Sequence, residues 1–440
     1  MGANVDVEES AVANPLTNNH NDSEDTIPNE LDRPTEEKPS DESYDTGLTA
    51  WLQVLGSFFL FFNSWGVINT WGAFQTYYEQ NLLTDVSSSS IAWIGSLQSF
   101  LLMLLGVVTG PLFDAGYFRA LISFGALMLP FGLMMTSLSS TFWQLILSQG
   151  ICIGLGSGCL FVPSVAILPQ YFKKRRALAN GMAAAGSSIG GIIYPITFSR
   201  LQKSIGFPWA ARVIGFLAFA TCCISLSIMR VRVLPPEKRK LLQLSAFKEP
   251  PYVLFCMGMF MGFLGFYNFL VYIQPYALDS NIVDANLGFY LLSILNAASS
   301  FGRVGPNALA DKTGPLNVLT PFSTATAILA FAWIGVHNTP GIIVLTALYG
   351  FWSGGFVSLP PVVMATMTKD IRDLGTRLGQ VFAITSIALL VGTPIGGAIL
   401  SSTGSYLGVQ LFTACCLISS GMLFASVRFL RSGGRLIARV

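Results

Sequence analysis

The stretch YFKKRRALANGMAAAGSSIG, residues 171–190, joins four consecutive cations to a run of small and apolar residues. The apolar run continues to residue 198, so it is long enough for a helix that crosses the hydrocarbon core of a bilayer. Basic residues next to an apolar span are typical of the cytoplasmic border of a membrane protein. We therefore interpret the cation cluster as a topology signal and not as a nucleic-acid-binding site.

The composition of the whole chain also indicates a membrane protein. Hydrophobic residues make up 52% of the 440 residues and charged residues only 11%, whereas soluble domains carry about 25% charged residues. Apolar runs of about 20 residues, each able to span a bilayer as a helix, recur along the chain. We predict twelve spans, at residues 48–74, 91–113, 118–138, 142–168, 177–198, 209–233, 251–277, 287–310, 316–337, 340–367, 376–400 and 405–430.

The distribution of charge predicts the orientation of these spans. With the N-terminus in the cytoplasm, 19 of the 23 basic residues after position 45 fall on cytoplasmic loops or helix ends, as expected for a membrane protein. Adding or removing one span would destroy this separation. The prediction is a multi-pass, all-α membrane protein of twelve helices with both termini in the cytoplasm.

The chain divides into five predicted regions. Residues 1–45 contain 13 acidic and two basic side chains and no hydrophobic run, which predicts a disordered cytoplasmic tail. Residues 234–250 follow the sixth span and are predicted to be a cytoplasmic linker. They separate an N-terminal six-helix bundle at 46–233 from a C-terminal six-helix bundle at 251–430, and residues 431–440 are a predicted cytoplasmic C-terminal tail.

The two predicted bundles share an internal repeat. Asp114 follows the second span and Asp311 follows the eighth, 197 positions later. A Gly-x-x-Ser-Gly pattern begins at Gly154 in the fourth span and at Gly350 in the tenth, 196 positions later. Similar residues at similar depths predict two parallel six-helix repeats related by an axis along the membrane normal.

Few residues could support enzyme chemistry. The chain has two histidines, His20 and His337, and neither a His-based triad nor a HExxH helix can be assembled from them. The seven cysteines lie inside apolar runs, where we interpret them as small packing residues. The prediction is a protein that is not an enzyme, with no metal site and no cofactor.

The stretch at 171–190 resembles the fifth-helix signature of the monocarboxylate porter family, within the major facilitator superfamily. Asp45-Thr46-Gly47 is similar to the second signature of that family, and the acidic leader with the opening of the first span is similar to its fungal branch. This resemblance implies a transporter of two six-helix bundles that rock against each other. The signature residues that we assign are Lys173, Arg175, Arg176, Gly181, Gly186 and Gly190.

The resemblance also implies a latch between the bundles on the cytoplasmic side. In this family a short network of acidic and basic residues after the second and eighth spans joins the two halves. The matching positions are Asp114 and Arg119 in the first half and Asp311 and Lys312 in the second. We predict that these four residues form the inner latch.

Arg303 is the one basic residue clearly inside a predicted span. A buried guanidinium is costly unless it is paired, and its shape suits a carboxylate or another oxyanion. The family resemblance also implies a substrate-linked arginine in the eighth helix, but its usual acidic partner is replaced by Ser299 and the first helix lacks the usual lysine. We predict substrate binding or gating for Arg303, with a purely structural pairing as the alternative.

Further cavity-lining candidates follow from the architecture that the resemblance implies, in which helices one, four, seven and ten face a central cavity. Each of these side chains could alternatively serve packing or hydrogen bonding between helices. A cavity rich in aromatic and amide groups with one cation suits a fairly large, partly apolar molecule, with an anion as one option. The candidates are Asn63, Trp65, Asn69, Trp71, Gln149, Tyr267, Asn268, Tyr272, Gln274, Asn296, Trp352 and Ser353.

The predicted function is secondary active transport of a small organic molecule across the plasma membrane, favouring efflux of a hydrophobic or weakly acidic secondary metabolite. The alternatives are an uptake permease for a monocarboxylate or vitamin-like substrate and a non-transporting nutrient sensor. The expected partners are the substrate and the lipid bilayer, with no nucleic acid. The proton is a candidate coupling ion, and we expect a monomer.

Overall fold

The structure is a computed structural model that describes residues 47–232, 242–369, 373–435 and 438. Within these ranges the chain is helical and contains no β-strand. Twelve long helices account for nearly all of it. They are α1 Leu48–Leu82, α2 Ser90–Asp114, α3 Phe118–Thr136, α4 Phe142–Gln170, α5 Arg176–Ile205, α6 Phe207–Ile228, α7 Pro250–Asp279, α8 Ala285–Thr313, α9 Pro315–Gly335, α10 Thr339–Met367, α11 Leu374–Thr403 and α12 Tyr406–Ser432.

Each predicted span corresponds to one helix, so the prediction of an all-α membrane fold with twelve helices is confirmed. Ten helices are long and apolar enough to cross a membrane by composition alone. The other two, α5 and α8, are 30 and 29 residues long but richer in small and polar residues. They pack against each other between the two halves. Because part of their surface faces protein and not lipid, they do not need a continuous apolar surface.

Several predicted boundaries differ from the structure or fall outside it. The predicted tail at 1–45 lies outside the described residues, as do positions 233–241 of the linker region and positions 436, 437, 439 and 440. The described end of the linker forms a short turn of 3-10 helix at Leu244–Lys248. Helix α12 continues to Ser432, so it extends two residues into the predicted C-terminal tail.

The helices repeat the same packing in the two halves. Helix α2 packs on α4 as α8 packs on α10, and α3 packs on α6 as α9 packs on α12. Helix α1 packs on α5, and α7 packs on α11. The two halves meet mainly through two equivalent contacts, α5 with α8 and α2 with α11. This pattern is the parallel repeat that the sequence predicts.

Glycines of the 171–190 stretch allow α5 to approach its neighbours closely. A Cβ atom at Gly186 would overlap the backbone of Phe58, and a Cβ at Gly190 would overlap the backbone of Gly66, both on α1. A Cβ at Gly181 would overlap the carbonyl oxygen of Arg303 on α8. Small residues at such spacing bring membrane helices into backbone contact. One glycine of the stretch therefore serves the contact between the halves, and two serve packing within the first half.

Helix α10 is interrupted at Leu359, before Pro360 and Pro361. Proline has no N–H to donate, which disturbs the hydrogen bonds of the preceding turn. The N–H of Val362 donates to the carbonyl of Leu359 at 2.9 Å. The carbonyl of Ser358, one residue earlier, accepts instead from a side chain of α5, as described below.

Candidate functional site

A cavity lies between the two halves, near the middle of the helices. Helices α1, α2, α4 and α5 of the first half and α7, α8, α10 and α11 of the second contribute to its wall. The cavity has a volume of about 40 Å³, enough for about three water molecules. The cavity is therefore too small for an organic substrate until the halves separate.

Most of the cavity wall is aromatic. Trp65 on α1 faces Tyr267 on α7, with ring centroids 6.3 Å apart and planes 20° apart. Phe161 of α4 makes edge contacts with Trp65 at 5.5 Å and with Phe61 at 5.7 Å. Phe161 also lies 5.1 Å from Phe382 of α11, a contact that crosses between the halves. Such a wall favours a ligand with a substantial apolar surface.

Arg303 is the charged residue of this wall. Its side chain is only 7% exposed, its Nε donates to the Ser299 hydroxyl at 3.3 Å, and one terminal nitrogen donates to the Ala184 carbonyl of α5 at 3.2 Å. Among the described residues no carboxylate forms an ion pair with it. Hydroxyl and carbonyl groups do not neutralise a guanidinium, so the cavity contains a buried positive charge that an anion would balance.

Six of the predicted residues lie together in the cavity wall: Trp65, Asn69, Tyr267, Asn296, Arg303 and Ser353. Asn296 donates from Nδ2 to the Leu292 carbonyl of its own helix at 2.9 Å. Asn69 makes no hydrogen bond through its side chain to the described residues. The structure thus brings these six predicted residues within reach of one ligand.

Two other predicted residues, Asn63 and Gln149, lie outside the cavity wall. Asn63 Nδ2 donates to the Thr221 hydroxyl at 2.9 Å, and Asn63 Oδ1 accepts from the Tyr194 hydroxyl at 2.6 Å, which joins α1, α5 and α6. The Gln149 side chain accepts from the Tyr78 hydroxyl at 2.5 Å. Both amides connect helices within the first half, the alternative that the sequence left open.

Three predicted residues of the second half also lie outside the cavity wall. Asn268 Nδ2 donates to the Leu264 carbonyl at 3.0 Å, and Tyr272 donates to the Thr393 carbonyl of α11 at 3.1 Å. The ring of Trp352 packs on Phe322 with centroids 4.4 Å apart. Ser353, the next residue along α10, does reach the cavity.

A cluster of amides connects the halves next to Arg303. Asn180 of α5 donates to the Ser358 carbonyl of α10 at 2.7 Å, and Asn307 of α8 donates to the Ser358 hydroxyl at 2.7 Å. All three residues are buried, and Asn307 lies one helical turn after Arg303. We call the end of the bundle beyond this cluster, where Asp114, Asp311 and the loop at 173–176 lie, the basic end. The amide cluster closes the cavity toward it.

The halves also touch on the other side of the cavity. Arg200 of α5 donates to the Tyr290 hydroxyl of α8 at 3.2 Å, and the hydroxyls of Ser96 on α2 and Thr393 on α11 are 3.4 Å apart. With contacts on both sides and little internal space, this conformation is an occluded one.

The predicted latch residues lie at the basic end. The Asp311 carboxylate accepts from the backbone N–H groups of Ala177 at 2.8 Å and Leu178 at 2.9 Å. These N–H groups belong to the first turn of α5 and have no partner within that helix. Asp311 therefore caps α5 across the boundary between the halves, favoured by the positive end of the helix dipole.

The equivalent acid of the first half, Asp114, lies against the start of α11. A Cβ atom at Gly375 would meet the Asp114 carboxylate at 2.8 Å. Arg119 and Lys312 are exposed and make no hydrogen bond or ion pair with the described residues. The two acids thus lie against the other half, whereas the two predicted bases extend into solvent.

Several residues of the site were missed from the sequence. Phe161, Phe263, Phe266 and Phe382 line the cavity, but phenylalanine is so common in membrane helices that its presence carries no signal. Asn180 could have been found, because it is a polar residue inside an otherwise small and apolar span. The proline pair after Leu359 could likewise have indicated a free carbonyl in α10.

A central cavity closed on both sides between two repeated halves is the arrangement of an alternating-access membrane transporter. Residues 54–339 match the sequence profile described as Major Facilitator Superfamily. The chain belongs to that superfamily, which makes it a transporter and not an enzyme.

Similar proteins agree with this assignment. The chain is 41% identical to MFS-type transporter dbaD of Emericella nidulans, over 92% of this chain and 95% of that protein. It is 39% identical to the aspyridones efflux protein apdF of the same organism, over 90% of this chain and 81% of that protein. The crystal structure of the transporter FucP in the outward conformation matches with a TM-score of 0.67 at 14% identity, covering 86% of this chain and 98% of FucP, which shows the shared fold.

Proposed function

We propose that this protein exports a small, weakly acidic organic molecule, a secondary metabolite, across the plasma membrane by alternating access. Arg303 is the observation that carries the proposal. It is a buried guanidinium in the central cavity, and no carboxylate of the described residues balances it. A substrate carboxylate or enolate would supply the missing charge.

Export as the direction rests on similarity to relatives. One relative that shares 39% of its sequence with this chain is named an aspyridones efflux protein. The aromatic wall of the cavity suits a larger, partly apolar compound better than a short carboxylic acid. Uptake of a monocarboxylate or vitamin-like substrate is the alternative, and the direction of flux in sealed vesicles distinguishes it from export.

Within the superfamily we place the chain in the monocarboxylate porter family. The cation cluster of the 171–190 stretch and its glycines support this placement, because Gly181, Gly186 and Gly190 each occupy a close helix contact. Ser299 stands where proton-linked members have an acid, and its hydroxyl accepts from Arg303. Arg303 is therefore available to a substrate and is not occupied by an internal acid.

The proton is one candidate for the coupling ion. The described lining residues of the cavity include no carboxylate, so a coupled proton would travel on a group other than a cavity acid. A weakly acidic substrate can itself change its protonation between the two sides. We expect substrate contact from Arg303, Asn69, Tyr267 and Asn296 and gating from Asp114 and Asp311.

The proposal includes the setting of the protein. The excess of basic residues at the basic end supports a cytoplasmic location for that end and for both termini. The two halves enclose the cavity within a single chain, which supports a functional monomer.

Flux in sealed membrane vesicles tests the proposal. Inside-out vesicles that contain the full chain are expected to accumulate weakly acidic aromatic metabolites, and Arg303→Ala is expected to reduce that accumulation at least about tenfold, because a buried charge pair is lost. Arg212→Ala is the matched control, because Arg212 donates to Ser137 within the first half.

The outcomes separate the parts of the proposal. Unchanged transport of every compound by Arg303→Ala would rule out its role in binding. Transport only into right-side-out vesicles would replace export by uptake. Collapse of the flux by a protonophore would support the proton as coupling ion, and persistence of the flux would exclude it.

A further inference from the structure

Trp65 and Tyr267 form a pair of aromatic faces that spans the cavity from one half to the other. Their ring planes are 20° apart and their centroids 6.3 Å apart. Each ring is held from the side by a second aromatic ring, Trp65 by Phe161 at 86° and Tyr267 by Phe266 at 82°. Edge contacts of this kind are favourable and restrict the orientation of the ring. The two faces are therefore kept nearly parallel.

The two faces close against each other in this conformation. Their centroids are 6.3 Å apart, a distance within the range of offset-stacked aromatic pairs. Trp65 belongs to α1 and Tyr267 to α7, which lie in different halves. A separation of the halves would therefore move the two faces apart. A slot for one flat ring opens when the planes of the two rings are about 7 Å apart, because carbon atoms in contact lie about 3.5 Å apart.

Donor groups surround the slot. The indole N–H of Trp65 and the hydroxyl of Tyr267 make no hydrogen bond to the described residues. Arg303 uses Nε and one terminal nitrogen for Ser299 and Ala184, and its second terminal nitrogen makes no hydrogen bond to the described residues. Trp and Arg can only donate, and Tyr can donate. A ligand rich in acceptors and carrying negative charge would satisfy all three.

We propose that the substrate of this transporter is a planar, conjugated oxyanion, with its flat π system between Trp65 and Tyr267 and its negative charge at Arg303. This inference rests on the proposed export of a weakly acidic molecule and narrows its substrate class. A saturated acid of the same size would satisfy Arg303 but would be too thick and uneven for the slot. A flat neutral molecule would fill the slot but would leave the guanidinium without a counter-charge.

Three probes of one carbon skeleton separate these properties. 2-Naphthoate is flat and anionic, decahydro-2-naphthoate is anionic but puckered, and 2-naphthamide is flat but neutral. Their dissociation constants are to be measured by calorimetry on the full chain in phosphatidylcholine nanodiscs. We expect 2-naphthoate to bind about tenfold more tightly than either of the other two.

Variants assign each preference to its residues. Trp65→Leu and Tyr267→Leu are expected to reduce the preference for the flat over the puckered anion to about twofold while the preference for anion over amide remains. Arg303→Gln is expected to reduce the preference for the anion over the amide, while the preference for the flat over the puckered anion remains. Trp143→Leu is the control, because Trp143 is 61% exposed on α4 and does not line the cavity. Both preferences should persist in this control. Each preference is a ratio of two dissociation constants measured on the same variant, so a partial loss of folded protein does not change it.

Equal binding of the flat and puckered anions, or no binding of 2-naphthoate, would overturn this inference. So would a preference for the flat anion that survives both aromatic substitutions. The vesicle flux of acidic compounds is a separate measurement. If that flux persists and depends on Arg303 while the flat probe shows no advantage, the substrate class is wrong and the export function stands. If no acidic compound is transported, the export function itself fails.

Discussion

The two contacts between the halves are equivalent by the internal repeat but differ in chemistry. At the contact of α5 with α8, three polar residues lie between the helices: Arg303, Asn180 and Asn307. Arg303 and Asn180 donate hydrogen bonds across the boundary between the halves, and Asn307 donates to the Arg303 carbonyl of its own helix. At the contact of α2 with α11, the helices meet through glycines: a Cβ atom at Gly110 would overlap the backbone of Gly375. The contact of α5 with α8 therefore has polar groups at the position where the contact of α2 with α11 has glycines.

This difference suggests that the two equivalent contacts have different roles, one in substrate recognition and the other in supporting the movement. We call this the division between the two contacts. Polar hydrogen bonds between membrane helices specify one arrangement, whereas small residues allow close sliding contact. The substrate charge and the closure of the cavity are concentrated at α5 and α8. The contact of α2 with α11 is suited to support the movement, and among the described lining residues these two helices supply the apolar side chains Met103 and Phe382 and no charged group. Three experiments test this division.

The largest effect is expected from a methyl group placed in each contact. In Gly181→Ala the new Cβ would overlap the Arg303 carbonyl and the Asn307 side chain. Overpacking of this kind costs about 1–3 kcal/mol. We expect a lower denaturation temperature in detergent and at least about tenfold weaker binding of the acidic substrate, because the turn that carries Arg303 must shift. Gly110→Ala should lower the denaturation temperature similarly but leave binding nearly unchanged.

Gly305→Ala is the matched control for both variants. A Cβ atom at Gly305 on α8 has no neighbour within 4 Å, so this change should be neutral or raise stability by up to about 1 kcal/mol through helix propensity. If Gly110→Ala weakened binding as much as Gly181→Ala, the proposed division between the two contacts would be wrong.

The sequence predicts the helices well because hydrophobicity and charge are averaged over some twenty residues. Helices α5 and α8 show the limit of hydrophobicity alone: they are the least apolar of the long helices, because they face each other. Their spans were nevertheless predicted as apolar runs, and the placement of the basic residues supported the count. The number and order of the helices can therefore be predicted even when the ends of each helix are wrong by several residues.

The binding site was only partly predictable, because it depends on the rotation of each helix. Asn63 and Asn69 are six residues apart on α1, which places them about 120° apart around the helix. Asn69 faces the cavity, and Asn63 bonds to Tyr194 and Thr221. Tyr267 and Asn268 are adjacent on α7, but Tyr267 lines the cavity and Asn268 bonds to the Leu264 carbonyl of its own helix. Without knowledge of which face lies inward, both members of each pair were equally good candidates.

A smaller effect is expected at the caps of the two contacts. Asp311→Asn removes the charge that accepts from the N–H groups of Ala177 and Leu178. Loss of a good cap costs about 1 kcal/mol. Hydrogen exchange of the peptide that contains these two amides, followed by mass spectrometry, should become about fivefold faster.

Two controls make the cap experiment specific. Lys312→Gln changes an exposed neighbour of Asp311 and should leave exchange unchanged. Asp114→Asn acts on the other contact and should leave the 177–178 amides protected. Faster exchange of these amides in Asp114→Asn would mean that the two contacts open together and not separately.

The smallest effect concerns the ion pair at the basic end of α11. Both oxygens of Glu249 accept from the Arg377 guanidinium, at 2.7 and 3.1 Å, and this hydrogen bonding lowers the pKa of Glu249 below its usual 4.5. A carboxyl whose pKa is lowered in the folded state adds stability above its usual pKa and loses that contribution as the pH falls through the lowered value. The side chain of Glu249 is 42% exposed, so we expect less than about 1 kcal/mol.

The measurement is the denaturation temperature in detergent between pH 7 and pH 3.5, for the wild type and Glu249→Gln. Above pH 4.5 the wild type should be slightly more stable, and the difference should shrink as the pH falls further, because protonated Glu249 resembles glutamine. Substrate binding by Glu249→Gln at pH 7 should be unchanged, since the pair joins the start of α7 to α11 and leaves α5 and α8 untouched. A loss of substrate binding in this variant would show that the polar contacts at the basic end of α11 also control recognition, and the division between the two contacts would then fail.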